Sequence, residues 1–174
     1  MSGMRVDRTF PSDGRRVLDP CRGSRMFWFD KENPDTVFCD IREFHGQLCD
    51  GRTLDVSPDV VADVTDLPFD DETFYHVVFD PPHMRTLGEN SWMAKKYGRL
   101  GDDWETFMHD AFDECMRVLK PNGTLIFKWN EQEIPVSKII KVIGYEPMYG
   151  HKSGKLQKTH WLAFMKPNEH ESSH

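Results

Sequence analysis

The chain has no apolar run approaching the ~20 residues that a membrane-spanning helix requires, so no such span is expected. It has only four cysteines, Cys21, Cys39, Cys49 and Cys115, with no C-x-x-C pair and no zinc-ligand spacing. A disulfide framework and a structural zinc site are therefore not expected, and reduced thiols in a cytoplasm are the default. None of the eight histidines stands at metal-ligand spacing either, so no metal is expected. Positive charge is outnumbered, 22 Lys and Arg against 29 Asp and Glu, for a net charge of −7. That argues against strong non-specific binding to nucleic acid, and any such contact must be local. Residues 1–16 are polar and lack the apolar centre of a signal peptide. There is no internal repeat, no low-complexity block and no sign of a second domain. At 174 residues, 38% hydrophobic and 29% charged, the chain reads as one globular domain with a sizeable core. The expected division is an arm over 1–16, a domain over 17–167 and a polar tail over 168–174.

What is present is organised around Asp80-Pro81-Pro82-His83. The preceding run His76-Val77-Val78-Phe79 reads as a buried strand, because its apolar residues are continuous and β-branched or aromatic. Two prolines after an acid end that strand sharply, since proline offers no N–H and holds φ fixed. The Asp80 carboxylate is then left at the carboxyl edge of the sheet, where ligands of open α/β sheets bind.

Upstream, a short strand over 16–19 ends on Asp19 and runs into Pro20-Cys21-Arg22-Gly23-Ser24. That turn is expected to open a helix over 25–30 with Ser24 as its N-cap. A glycine turn between strand and helix lets backbone N–H groups approach a ligand. The second strand, 36–39, ends on Asp40, about 20 residues after Asp19, the spacing at which an acid takes ribose hydroxyls in a Rossmann-like sheet. Asp50-Gly51 between two strand-like runs predicts a β-hairpin over 44–56 in place of a crossover helix. The third strand, 58–64, carries Asp63 and Val64 at its end. The link from there to the fourth strand is short for a helical crossover.

The polar stretch 84–103, with Trp92, Tyr97, Lys95, Lys96 and Arg99, has the length of a functional loop or lid. Apolar spacing from Trp104 to Leu119 predicts a helix, with Met108, Cys115 and Met116 in the core. Lys120-Pro121-Asn122-Gly123 ends it, and 124–127 is the fifth strand. Lys128, Trp129, Asn130 and Glu131 follow as a polar cluster expected to face the same edge as Asp80. A helix over 135–143 and a closing antiparallel pair, 148–150 with 160–165, complete the sheet. Between Pro147 and Asn168 there is no acid, whereas Lys152, Lys155, Lys158 and Lys166 are present, so a phosphate-contacting surface and a plain solvated hairpin both remain open.

Asp80-Pro81-Pro82-His83 resembles the D/N/S-P-P-Y/F/W motif of S-adenosylmethionine-dependent amino-methyltransferases, with His83 at the aromatic position. Asp19-Pro20-Cys21-Arg22-Gly23-Ser24 is similar to their D-P-F-x-G-S loop but lacks the second glycine, and Arg117 to Leu125 matches the class I cadence R-V-L-K-P-x-G-T-L. The resemblance covers roughly 17–164 and includes a small bacterial and phage-type group with D-P-P-H and F-K-W-N-E. It implies an α/β fold: a Rossmann-like, doubly wound, mostly parallel seven-stranded sheet with an antiparallel closing strand. It implies S-adenosyl-L-methionine as cofactor, held by Asp19, Pro20, Cys21, Gly23, Ser24, Asp40 with Ile41, and Asp63 with Val64, an acid there commonly bonding the adenine amine. Asp80, Pro81, Pro82 and His83 would serve catalysis, and Tyr97, Lys128, Trp129, Asn130, Lys152, Lys155 and Lys158 the acceptor. The implied activity is methylation of an exocyclic amine of a nucleobase in DNA or RNA, with a protein partner for target choice left open. An inactive cofactor-binding partner subunit, or a methyltransferase acting on a small molecule or protein, are the alternatives.

Overall fold

The computed structural model describes residues 13–23, 25–47, 51–86, 99–152 and 158–168. Ser24, Cys49, Asp50, Lys95, Lys96, Tyr97 and Lys155 lie outside them, as do the arm over 1–12 and residues 169–174.

One seven-stranded sheet carries the molecule, in the order β5-β2-β1-β6-β7-β9-β8. The strands are β1 (Val17–Asp19), β2 (Thr36–Asp40), β5 (Val60–Val61), β6 (Phe74–Phe79), β7 (Leu119–Asn130), β8 (Tyr149–Lys152) and β9 (Thr159–Met165). Neighbours from β5 to β7 are parallel, and β9 runs antiparallel to both β7 and β8. The strand order reverses between β1 and β6, which puts a crevice at their carboxyl ends. The central strands β2 and β6 are apolar on successive residues because both faces are covered.

The expected hairpin is present as a separate two-stranded sheet, β3 (Phe44–Gln47) with β4 (Thr53–Val56). Gly51 holds φ 83°, which its missing Cβ permits. Helix α1 (Trp104–Val118) lays Trp104, Met108, Ala111, Phe112, Cys115 and Met116 onto the sheet. Its Phe112 ring meets Phe79, Phe127 and Phe164 edge-on, at 6.3, 6.0 and 4.9 Å between centroids. Helix α2 (Val136–Ile143) buries Ile139 and Ile143 and ends at Gly144, φ 75°, whose N–H bonds the Ile140 carbonyl.

The structure corrects the sequence reading in several places. Residues 25–30 form turns and bends, not a helix. Arg25 itself takes φ 52°, a left-handed conformation that cannot propagate an α-helix. The third strand pairs only over Val60–Val61, so Asp63 lies beyond it. The fifth strand begins at Leu119, and Lys120 to Gly123 bulge out between the paired positions Leu119 and Thr124. It also continues through Asn130, so Lys128, Trp129 and Asn130 are strand residues.

The short link between β5 and β6 needs no helix because α1 satisfies its backbone. Arg117 donates to the carbonyls of Leu67 and Phe69 at 3.0 and 2.8 Å, and Glu114 accepts from the Leu67 N–H at 2.8 Å.

Candidate functional site

A cavity of about 300 Å³ opens at the carboxyl ends of β1, β2, β5 and β6. Its walls bring together residues scattered along the sequence. The β1 turn supplies Pro20, Cys21 and Gly23; β2 supplies Asp40, followed by Ile41. Asp63 and Val64 close one side, and Asp80 and Pro82 the other. Arg42, Ala62, Arg99 and Phe107 also line it, and sequence reading assigned none of them to a cofactor site. Phe107 was hidden by its place in the apolar stripe of α1, and Arg99 by its place in a basic loop.

Asp40 is almost fully buried and already organises the turn opposite it. Its Oδ2 accepts the Gly23 N–H at 3.0 Å, and its Oδ1 accepts the Arg42 N–H at 3.2 Å. Each carboxylate oxygen has a second lone-pair site for a ligand hydroxyl. Ile41, the next residue, is 66% exposed, an apolar side chain spread at the cavity mouth. Asp63 Oδ1 accepts both the N–H and the hydroxyl of Thr65, at 2.9 and 2.7 Å. Its Oδ2 takes no part in that turn.

Asp19 lies behind the cavity wall, fully buried. Trp28 Nε1 donates to its Oδ2 at 2.8 Å and the Cys21 N–H to its Oδ1 at 3.2 Å. Burial pushes its carboxyl up to about 7; those two hydrogen bonds oppose the shift, while the Asp80 and Asp40 charges add to it. Between roughly pH 4 and 7 the unfolded chain releases this proton and the folded chain keeps it. Stability at this residue therefore falls as pH rises through that window and is level above it. We expect Asp19→Asn to flatten the dependence of Tm on pH between 5 and 8; an unchanged slope would place the titration elsewhere. Burial also raises the Cys21 thiol well above its ordinary value, so Cys21 is a wall residue rather than a thiolate.

Asp80 stands at the other end of the cavity. Burial raises its carboxyl, and Lys128 pulls it back down through a 2.8 Å ion pair at Oδ2. Pro81 is buried behind it, while Pro82 and His83 are half-exposed. Burial lowers the His83 imidazole, more than the Asp80 charge raises it, which favours the neutral ring near pH 7. That ring sits edge-on to Trp129, 6.2 Å between centroids.

The polar cluster at the end of β7 divides by parity. Lys128 lies on the face of β7 opposite Phe127 and Trp129, and it reaches Asp80. Trp129, expected at the acceptor, is fully buried instead: it stacks on Phe127 and donates to the Ile134 carbonyl at 2.9 Å. Asn130 uses both ends of its amide internally, donating to Thr159 Oγ1 and accepting from the Gln132 N–H. Lys152 stands in β8, and exposed Lys158 lies beside the start of β9, at the edge where β7 ends. Among the described residues no group of His, Cys, Asp or Glu could hold a metal ion, and no helix is long and apolar enough to cross a membrane.

No protein-family model and no curated protein matches the chain. Solved structures do resemble it. It is similar to the PH0226 protein of Pyrococcus horikoshii OT3, at 16% identity and a TM-score of 0.54, over 88% of this chain and 82% of that one. The N-methyltransferase NodS of Bradyrhizobium japonicum WM9 aligns at 15% identity and a TM-score of 0.51, over 90% and 89%. A SAM-dependent methyltransferase of Methanosarcina mazei aligns at 13% and 0.52, over 88% and 93%. At such identities the likeness is one of architecture: the chain has the mostly parallel, Rossmann-like fold of the S-adenosylmethionine-dependent methyltransferases, with one antiparallel strand and a separate hairpin.

Proposed function

We propose that the protein is an S-adenosylmethionine-dependent methyltransferase of the amino-methyltransferase kind, acting on an exocyclic amine of a nucleobase. The observation that carries this reading is the meeting of Asp80 and Pro82 with Gly23, Asp40, Ile41 and Asp63 around one cavity at the switch point of the sheet. The residues present fit the cofactor. Asp40 faces the cavity with lone pairs for ribose hydroxyls, and Ile41 offers an apolar surface for a planar base. When bound, the cofactor supplies a methyl group on a positively charged sulfur.

The chain's own contribution is positioning and hydrogen bonding. An amine conjugated into a heteroaromatic ring is a weak nucleophile, because its lone pair is shared with the ring. Asp80 Oδ1 and the Pro81 carbonyl are acceptors for its two N–H bonds, and accepting both draws the nitrogen toward a pyramidal geometry that frees the lone pair. The nitrogen gains a methyl and must lose one proton, which the raised basicity of Asp80 lets it hold before release to water. Neutral His83 offers its ring face to the base. A base in a duplex would have to be extruded to reach this depth. Exposed Lys158 supplies positive charge for phosphates near the same edge, and the sequence carries Lys152 and Lys155 in the same stretch.

The test is methyl transfer from labelled S-adenosylmethionine to defined DNA, total RNA and protein fractions, with nucleoside mass spectrometry of the product. Label in a methylated nucleoside supports the reading; label in protein or a small molecule alone, or none, overturns it. Asp40→Ala should weaken S-adenosylmethionine binding by about 1.5–3 kcal/mol, the scale of a charge-assisted hydrogen bond. Calorimetry giving the wild-type affinity would remove Asp40 from the cofactor site.

A further inference from the structure

Lys128 and Asp80 come from neighbouring parallel strands, β7 and β6. Their charged groups stand side by side, Nζ to Oδ2 2.8 Å, with the side chains 28% and 23% exposed. Asp80 lines the cavity, so the pair stands where a molecule entering the cavity meets it, and two aromatic rings flank the ammonium. The Lys128 ammonium lies 5.2 Å from the Phe27 ring centre and 5.7 Å from that of Trp161. Phe27 and Trp161 meet edge to face at 5.7 Å, and Trp161 is the cross-strand partner of Lys128. The rings fix where the ammonium sits through cation–π attraction, without using its N–H donors.

A carboxylate beside an ammonium is a hydrogen-bond acceptor next to a donor. Its complement is a donor next to an acceptor on a planar molecule, an amino group beside an unprotonated ring nitrogen. Adenine offers N6 with N1 or N7, and cytosine N4 with N3. A lone alkyl amine, as on a lysine or an aminosugar, offers no such neighbour. We propose that Asp80 and Lys128 form one recognition dyad that reads this amidine-like edge, the amine on Asp80 and the ring nitrogen on Lys128. Lys128 is then a specificity-determining residue; this rests on the nucleobase reading above and narrows it.

The experiment is single-turnover transfer to single-stranded oligonucleotides containing one target base. Each natural base is compared with its analogue in which a ring nitrogen is replaced by C–H: 1-deazaadenine and 7-deazaadenine against adenine, 3-deazacytosine against cytosine. Wild type should lose about tenfold or more on the analogue that lacks the recognised nitrogen, the scale of a hydrogen bond to a charged group. Lys128→Met should be slow on the natural base and lose that discrimination, its ratio reporting only the intrinsic reactivity of the two amines. Any effect of the analogue on the reactivity of the amine itself is common to both enzymes and cancels. Lys128→Arg keeps a donor and should keep the discrimination, so a folding defect in the methionine variant does not decide the matter. Transfer to a base with the same ratio in wild type and Lys128→Met overturns the dyad alone. No transfer by wild type to any natural base overturns the nucleobase reading and the dyad with it.

Discussion

Asp80→Asn is expected to slow methyl transfer by ~10²-fold or more while leaving affinity for S-adenosylmethionine close to normal. The substitution keeps the size of the side chain but exchanges one acceptor oxygen for an NH₂ donor, which opposes an amine approaching from the cavity. It also removes the negative partner of Lys128, 2.8 Å away, so the ammonium loses its ion pair at the point where the acceptor is to be read. The contacts assigned to cofactor binding, at Gly23, Asp40 and Ile41, lie at the ends of other elements and stay in place. The measurement is single-turnover transfer at saturating cofactor beside calorimetric binding. Should Asp80→Asn turn over as fast as wild type on the identified acceptor, amine activation by this carboxylate is wrong and Asp80-Pro81-Pro82-His83 is only a turn. Loss of cofactor affinity in step with rate would instead move Asp80 into the cofactor site.

Trp129→Ala should cost about 3–5 kcal/mol of folding stability, the range for deleting a fully buried large aromatic. Loss of the ring leaves a void against Phe127, on the side of β7 that faces α1 and its Phe112. The Ile134 carbonyl also loses its indole donor, just ahead of α2. Trp129→Phe separates the two effects: it keeps most of the volume and gives up the hydrogen bond, at about 1 kcal/mol. Denaturant unfolding gives both values. A Trp129→Ala variant of wild-type stability that has lost acceptor binding would return this residue to the site.

The strand ends were the legible part of the sequence. Acids closing short apolar runs, Asp40 and Asp80 among them, pointed to one edge of a parallel sheet, and the cavity lies at that edge. Asp50-Gly51 foretold the hairpin through turn chemistry that is local in sequence. The misreadings came where distant contacts overrode local pattern. Residues 25–30 carry apolar side chains at helix-like density, but Arg25 packs over the Phe38 ring and Trp28 donates to Asp19, and the chain bends to allow both. Trp129 looked like part of a polar strand terminus. Strict alternation from the buried Phe127 would have assigned it to the core and Lys128 to the opposite face. The brace of Arg117 and Glu114 on the β5–β6 link had no local sign beyond their spacing on one helix face, since its partners are fixed only by the fold.

The helix-free connection between β1 and β2 bears on how the binding site is kept in shape. An α-helix there would close on its own internal ladder of hydrogen bonds, indifferent to what the neighbouring acids were doing. Here the connection is tied down through those acids, Gly23 to Asp40 and Trp28 to Asp19. Closing the segment and lining the pocket thus both draw on Asp40. A ligand hydroxyl taken by Asp40 would fall on the same carboxylate that holds the Gly23 N–H. The group that braces the wall of the site is the group offered to its occupant.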